Sequence, residues 1–205
     1  MKTLHLISLV FLVFTCACKD IKDSKSKPES DQNKTSETNK TSTTKAVTKD
    51  NTETVQKLVK TTPLSEEAIQ QWFPETLINL NQTSSQKGTL QGLAAHGASA
   101  FYDGSNNKKF SVSITDIAGE DAEKIYKRYA RYKSPKSEHE DSTSITTYFN
   151  KDGRSGKSIF VKSLDMYTID FLYKDRLTVT VNAQNIEQEH VNKIIEAIPF
   201  ERLLK

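Results

Sequence analysis

Several local patterns in the 205-residue chain carry side chains that do chemistry. Gly156-Lys157-Ser158 has the ending of a phosphate-binding loop, in which glycines bring backbone amides to phosphate and a lysine neutralises it. The first glycine of that loop is missing, because Lys151 stands in its place. The context fails as well, since such a loop must join a strand to a helix N-terminus. Asp152-Gly153-Arg154-Ser155-Gly156 instead lies between two strand patterns and reads as a hairpin turn. Glu138-His139-Glu140-Asp141 has the ligand types of a divalent-metal site. Consecutive residues rarely converge on one ion, and Pro135 and Ser137 mark an exposed loop, so no metal is expected. His190 sits at the edge of an apolar helical stripe without a His-Glu-x-x-His pattern, and reads as a partly buried, hydrogen-bonded side chain. His96 lies among Ala94, Ala95 and Gly97 with no nucleophile beside it. No cofactor is expected.

A quieter set is distributed over three strand patterns. Ser111, Ser113, Thr115, Thr168, Asp170, Thr178, Thr180 and Asn182 alternate with apolar residues, so neighbouring strands would gather them on one face. Most such faces are solvated. The candidate binding positions among them are Thr115, Asp170, Thr178 and Thr180, grouped around one carboxylate. Tyr126, Tyr129 and Tyr132 alternate with Lys127, Arg128 and Arg131. Helical spacing puts Tyr129 and Tyr132 on a core stripe and leaves the charges and Tyr126 toward water.

The elements that must position these residues are legible from period and punctuation. Ser65 opens a short helix, Glu66 to Phe73, stopped by Pro74. Strands are expected at Thr89–Leu93, Ala98–Asp103 and Lys109–Ile117, and a helix from Gly119 to Tyr132. A charged loop, Lys133–Asp141, precedes strands at Ser144–Phe149, Lys157–Lys162, Tyr167–Tyr173 and Leu177–Ala183. A last helix, Glu187–Ile198, carries Val191, Ile194, Ile195 and Ile198 on one stripe. The expected fold class is α+β: an antiparallel sheet of about six strands covered by two longer helices plus a short N-terminal helix. Over about residues 75–200, this order of elements resembles the PsbP-like α/β/α sandwich. That resemblance implies a helix-covered sheet and no particular activity.

The first twenty residues carry an address. Lys2 precedes an apolar run, Leu4–Phe14, of eleven residues, against about twenty needed to span a hydrocarbon core. Such a run fits a cleaved secretory signal. It ends on Thr15-Cys16-Ala17-Cys18, then Lys19-Asp20. A small residue before a cysteine resembles the lipid-attachment box of bacterial lipoproteins, with Thr15 where leucine is usual. The resemblance implies cleavage after Ala17, acyl chains on Cys18, and outer-membrane sorting in a Gram-negative cell because Lys19 follows the cysteine. Periplasmic and surface-facing orientations both fit. With Cys16 removed and Cys18 acylated, the domain has neither a disulfide nor a thiol site, and its core alone must hold it.

Residues 18–62 are expected to form a lipidated, disordered tether, rich in Lys, Ser and Thr and free of aromatics, with a reach of roughly 35–40 Å. Val55–Val59 has the look of a helical turn without a second apolar stripe. The single globular domain spans 63–205 and holds eighteen Lys plus Arg against nineteen Asp plus Glu. The net charge of +3 therefore belongs to the signal and tether, and nucleic acid is not an implied partner. These features lead us to expect a non-enzymatic envelope lipoprotein of interaction or assembly type. Its partners are the membrane, through the lipid anchor, and an unidentified envelope protein. The alternative is a small-molecule or glycan binder with a pocket at a sheet-helix edge near His96.

Overall fold

The computed structural model describes residues 51–205 except 90–94 and 135; Ala17 and Cys18 lie outside the described residues. A helix over 51–59, α1, comes first. It is followed by α2 (Glu66–Trp72), β1 (Thr76–Leu77), β2 (Leu80–Thr89), β3 (His96–Asp103) and β4 (Lys109–Asp116). Then come α3 (Ala122–Ala130), a 3-10 turn at Arg131–Lys133, β5 (His139–Glu140), β6 (Ser144–Lys151) and β7 (Arg154–Val161). A second 3-10 turn, Lys162–Leu164, leads to β8 (Met166–Tyr173), β9 (Leu177–Gln184), α4 (Gln188–Ala197) and α5 (Phe200–Leu203).

The class is α+β, with a large antiparallel sheet. It has nine strands among the described residues, in the order β1-β2-β3-β4-β9-β8-β7-β6-β5, rather than about six. Two of the additional strands, β1 and β5, are two-residue pairings at the sheet edges. Of the strand expected at Thr89–Leu93, residues 90–93 lie outside the described residues, and Thr89 belongs to β2, which runs from Leu80. Its sequence has no apolar alternation, because it pairs through its backbone with β3 and buries little beyond Leu80.

Period-2 alternation places two different layers on the two faces. Phe110, Val112, Ile114, Ile169, Phe171, Val179 and Val181 form the main core with Ile69 of α2, Val191, Ile194 and Ile195 of α4, and Phe200 of α5. Ser65 caps α2 by accepting from the Ala68 amide at 3.1 Å. The opposite face holds a second cluster, in which Ile125, Tyr126, Tyr129 and Tyr132 pack with Ile117, Leu172 and Leu58. Among the described residues, the first to join either cluster is Val55.

Two expectations are corrected here, and they share one cause. Residues 51–59 are helical, and Leu58 is only 5% exposed, so the folded unit starts upstream of Pro63. Leu58, with Val55 packed partly buried beside it, is enough because the domain supplies the rest of its environment: the Leu58 carbonyl accepts from the Thr61 and Gly119 amides, each at 3.0 Å. Tyr126 is 1% exposed rather than facing water. Its hydroxyl donates to Asn51 Oδ1 at 3.1 Å and accepts from Lys133 Nζ at 2.8 Å.

Asp116, at the end of β4, is fully buried. It accepts from the Leu64 amide (2.9 Å), the Ala118 amide (3.0 Å) and Arg176 Nη2 (2.7 Å). Arg176 Nε also reaches both carboxylate oxygens, at 3.1 and 3.2 Å. This carboxylate raises the guanidinium pKa of Arg176. Arg176 donates as well to the Thr62 carbonyl at 3.3 Å. Removing the carboxylate strands a partly buried guanidinium and two amides. Asp116→Ala is therefore expected to lower unfolding stability by about 3–5 kcal/mol. Urea denaturation checks this, with Ser111→Ala on the same strand as a near-neutral reference.

Candidate functional site

The structure brings the hydroxyl-bearing residues together as the alternation requires. In register, Ser111 faces Asn182, Ser113 faces Thr180, and Thr115 faces Thr178 across β4 and β9. Asp170 and Thr168 face Thr180 and Asn182 across β8 and β9. The side chains satisfy one another: Thr180 Oγ1 donates to Asp170 Oδ1 at 2.8 Å, and Ser99 and Ser113 hydroxyls meet at 2.8 Å. Thr168 Oγ1 donates to Asn182 Oδ1 at 3.0 Å. Lys157 Nζ stands 4.0 Å from Asp170, with a quarter of each side chain exposed. Tyr129 of α3 lies over this group, and burial, then the nearby Asp170 charge, raise its pKa. Thr178 is only 4% exposed. Among the four candidate residues, the structure thus closes Thr178 and ties Thr180 to Asp170 beneath a helix.

An open site lies on the other face. A groove of about 180 Å³ runs between α4 and the β6–β7 hairpin. Phe149, Tyr167, Ile169 and Phe171 make its floor, and Val191 and Ile195 of α4 make one wall. Thr147, Ser158, Gln188 and Asn192 supply neutral polar groups, and Lys151, Arg154 and Glu196 supply charge. The hairpin turns on Asp152 and Gly153, both at positive φ (53° and 71°), so the turn is tighter than the sequence reading had it. Gly156 and Ser158 lie within β7, not in a loop. Gly156 pairs with Phe149 on one side and Phe171 on the other. A Cβ there would come within 2.5 Å of the Phe171 Cβ, so only glycine lets these strands carry both rings, 6.2 Å apart.

Arg154 is the residue that sequence reading missed. It opens β7 opposite Tyr173, and its side chain is 15% exposed. Among the described residues its one side-chain partner is Asp152, at 3.4 Å, and that aspartate is 69% exposed. Arg154 also borders a second cavity, of about 270 Å³, with Tyr173, Glu196, Phe200 and Glu201. There the Tyr173 hydroxyl donates to Glu201 Oε1 at 2.5 Å. Burial, reinforced by Glu201, pushes the phenol up to about 12. The available signal was phase: Arg154 shares its strand face with Gly156, Ser158 and Phe160, so a cation continues a core-facing row.

Elsewhere the single residues fall into ordinary roles. His96 begins β3 opposite Asp116 and is not part of the groove lining. His190 is half-buried on α4. Glu140 accepts from Lys162 Nζ at 2.7 Å, and His139 approaches Asp141 only to 3.9 Å. No group of three His, Cys, Asp or Glu side chains converges among the described residues.

No family model matches the chain, and no curated protein does. Among solved structures, a GTP binding regulator from Thermotoga maritima is 14% identical, covering 66% of this chain and 87% of that chain, with a TM-score of 0.41. A likeness that slight says nothing about the site.

Asp141 has a local structural job. Its carboxylate accepts from the Thr143 amide at 2.7 Å, the Thr143 hydroxyl at 2.8 Å and the Ser144 amide at 2.7 Å. These bonds, that from the Thr143 hydroxyl foremost, hold its pKa down at about 2, against an ordinary 3.8. A depressed folded-state pKa contributes order that is complete above the ordinary value and is lost as pH falls toward the folded one. The turn is therefore expected to loosen in acid between about pH 4 and pH 2. Amide exchange at Thr143 and Ser144 checks this, and Asp141→Ala should show the loosened turn already at neutral pH.

Proposed function

We propose that this chain is a membrane-anchored envelope lipoprotein of a Gram-negative bacterium, and that its folded domain is a non-enzymatic binding module. The Ala17-Cys18 box supports the anchor, and the near-neutral charge beyond residue 62 speaks against a nucleic-acid role. The groove under α4 carries the reading: an apolar floor with convergent polar groups is the form of a small-ligand site. Its volume suits one short chain or a single ring.

A protein-interaction or assembly role is the second reading. Among the described residues, the large exposed apolar side chains are Val59, Ile78, Phe101 and Leu164, each in a different element or turn. What favours this reading is the outer edge of β2. β1 pairs with Leu80 and Asn81, the Gln82 amide donates to the Glu75 carbonyl and Gln70 Nε2 to the Ser85 carbonyl, and beyond these no strand pairs with that edge among the described residues, which leaves its later part to an added strand.

The anchor is tested by labelling with an alkyne fatty acid in a Gram-negative host. The full chain should take up label and sediment with membranes. Cys18→Ala should lose the label and Cys16→Ala should keep it. A full chain that takes up no label, or a Cys18→Ala variant that stays labelled, overturns the assignment.

A further inference from the structure

We propose that the groove binds a small apolar monocarboxylate, its carboxylate on the Arg154 guanidinium and its chain over Phe149 and Phe171. This rests on the reading of the groove as a ligand site. A guanidinium carries five N–H donors in a fixed fork. Arg154 is 85% removed from water at its side chain, since 15% is exposed, yet it has one long 3.4 Å contact to a solvated aspartate. A cation so placed is costly until an anion completes it. Lys151 lies directly opposite Arg154 across the hairpin and adds a second positive charge to the groove, whose lining holds one acid, Glu196, while Asp152 and Glu201 border Arg154 from the adjoining cavity.

The rest of the groove limits what that anion is. Its floor is aromatic and aliphatic, which disfavours a bare phosphate or sulfate. A planar carboxylate matches the guanidinium fork. The groove, of about 180 Å³, takes a short unbranched chain. Hexanoate, with four methylenes and a methyl beyond its carboxylate, is a probe of that class.

The test is an amide-shift titration of the isotope-labelled full chain with hexanoate, hexan-1-ol and hexylammonium. Hexanoate should move amides of β6, β7 and α4 and bind tightest of the three. Arg154→Gln should weaken hexanoate about tenfold, the scale of one charge-assisted pair, and leave hexan-1-ol unchanged. The unchanged alcohol also establishes that the variant is folded. Equal binding of all three probes, or an Arg154→Gln variant that binds hexanoate normally, overturns the carboxylate assignment and leaves the groove as a ligand site. If no probe moves those amides, both readings fall. Tighter binding of an acetylated tripeptide acid than of hexanoate overturns the free-acid assignment in favour of a protein chain terminus.

Discussion

One buried carboxylate organises the end of the sheet at which the chain enters the domain. Asp116 accepts hydrogen bonds from the incoming chain at Leu64, from the strand exit at Ala118 and from Arg176 in the β8–β9 connection. These three segments are far apart in sequence, and no disulfide is present to join them. Burying a charge fully is tolerable only when its lone pairs are filled, and here backbone amides and a guanidinium fill them. The consequence reaches both faces. Fixing Leu64 sets the approach to α2 on one side, and fixing Ala118 sets the entry to α3 on the other.

The faces then differ in how they are closed. Under α4 the sheet offers Val, Ile, Phe and Ala, and burial of those side chains supplies most of the driving force. Under α3 it offers hydroxyls, an amide and Asp170, which are satisfied by one another before the helix covers them. Lys157 and Asp170 remain partly in water, so their attraction is screened and modest. The aromatic side of α3 bridges the mismatch, since a tyrosine presents a ring to packing and a hydroxyl to polar neighbours.

Much of this arrangement was legible from period alone. Lys109–Asp116 and Leu177–Gln184 alternate cleanly, so the shared hydroxyl face followed once the strands proved adjacent. Alternation could not say whether α3 would lie over that face. β2 was missed because an edge strand held by backbone pairing leaves no periodic trace in residues such as Ser84, Ser85 and Gln86. α1 was legible only as a turn at Val55–Val59, because its composition is that of a tether, and its one buried residue, Leu58, has meaning only beside Ile117 and Tyr126. Tyr126 was misplaced for the same reason, since its cover comes from the segment read as disordered. Arg154 was passed over because a turn explained its neighbours, although Asp152 and Gly153 alone make that turn.

The groove follows from the limited width of a helix on a broad sheet. A helix with side chains is about 10 Å across and strands lie about 4.8 Å apart, so α4 covers roughly two strands. Its buried residues belong with β8 and β9, and every residue of β6 stays half-buried or exposed. The facing rows of the hairpin run from Ile145 and Phe160, through Thr147 and Ser158, to Phe149 and Gly156, and end at Lys151 and Arg154. The order is large apolar, small polar, aromatic over glycine, then two cations. Leucine at 147 and 158 would continue the first row and fill the space beside Val191 and Ile195. With threonine and serine there, the floor stays recessed and opens toward Arg154. The same four rows therefore set both the depth of the groove and the sign of the charge at its end.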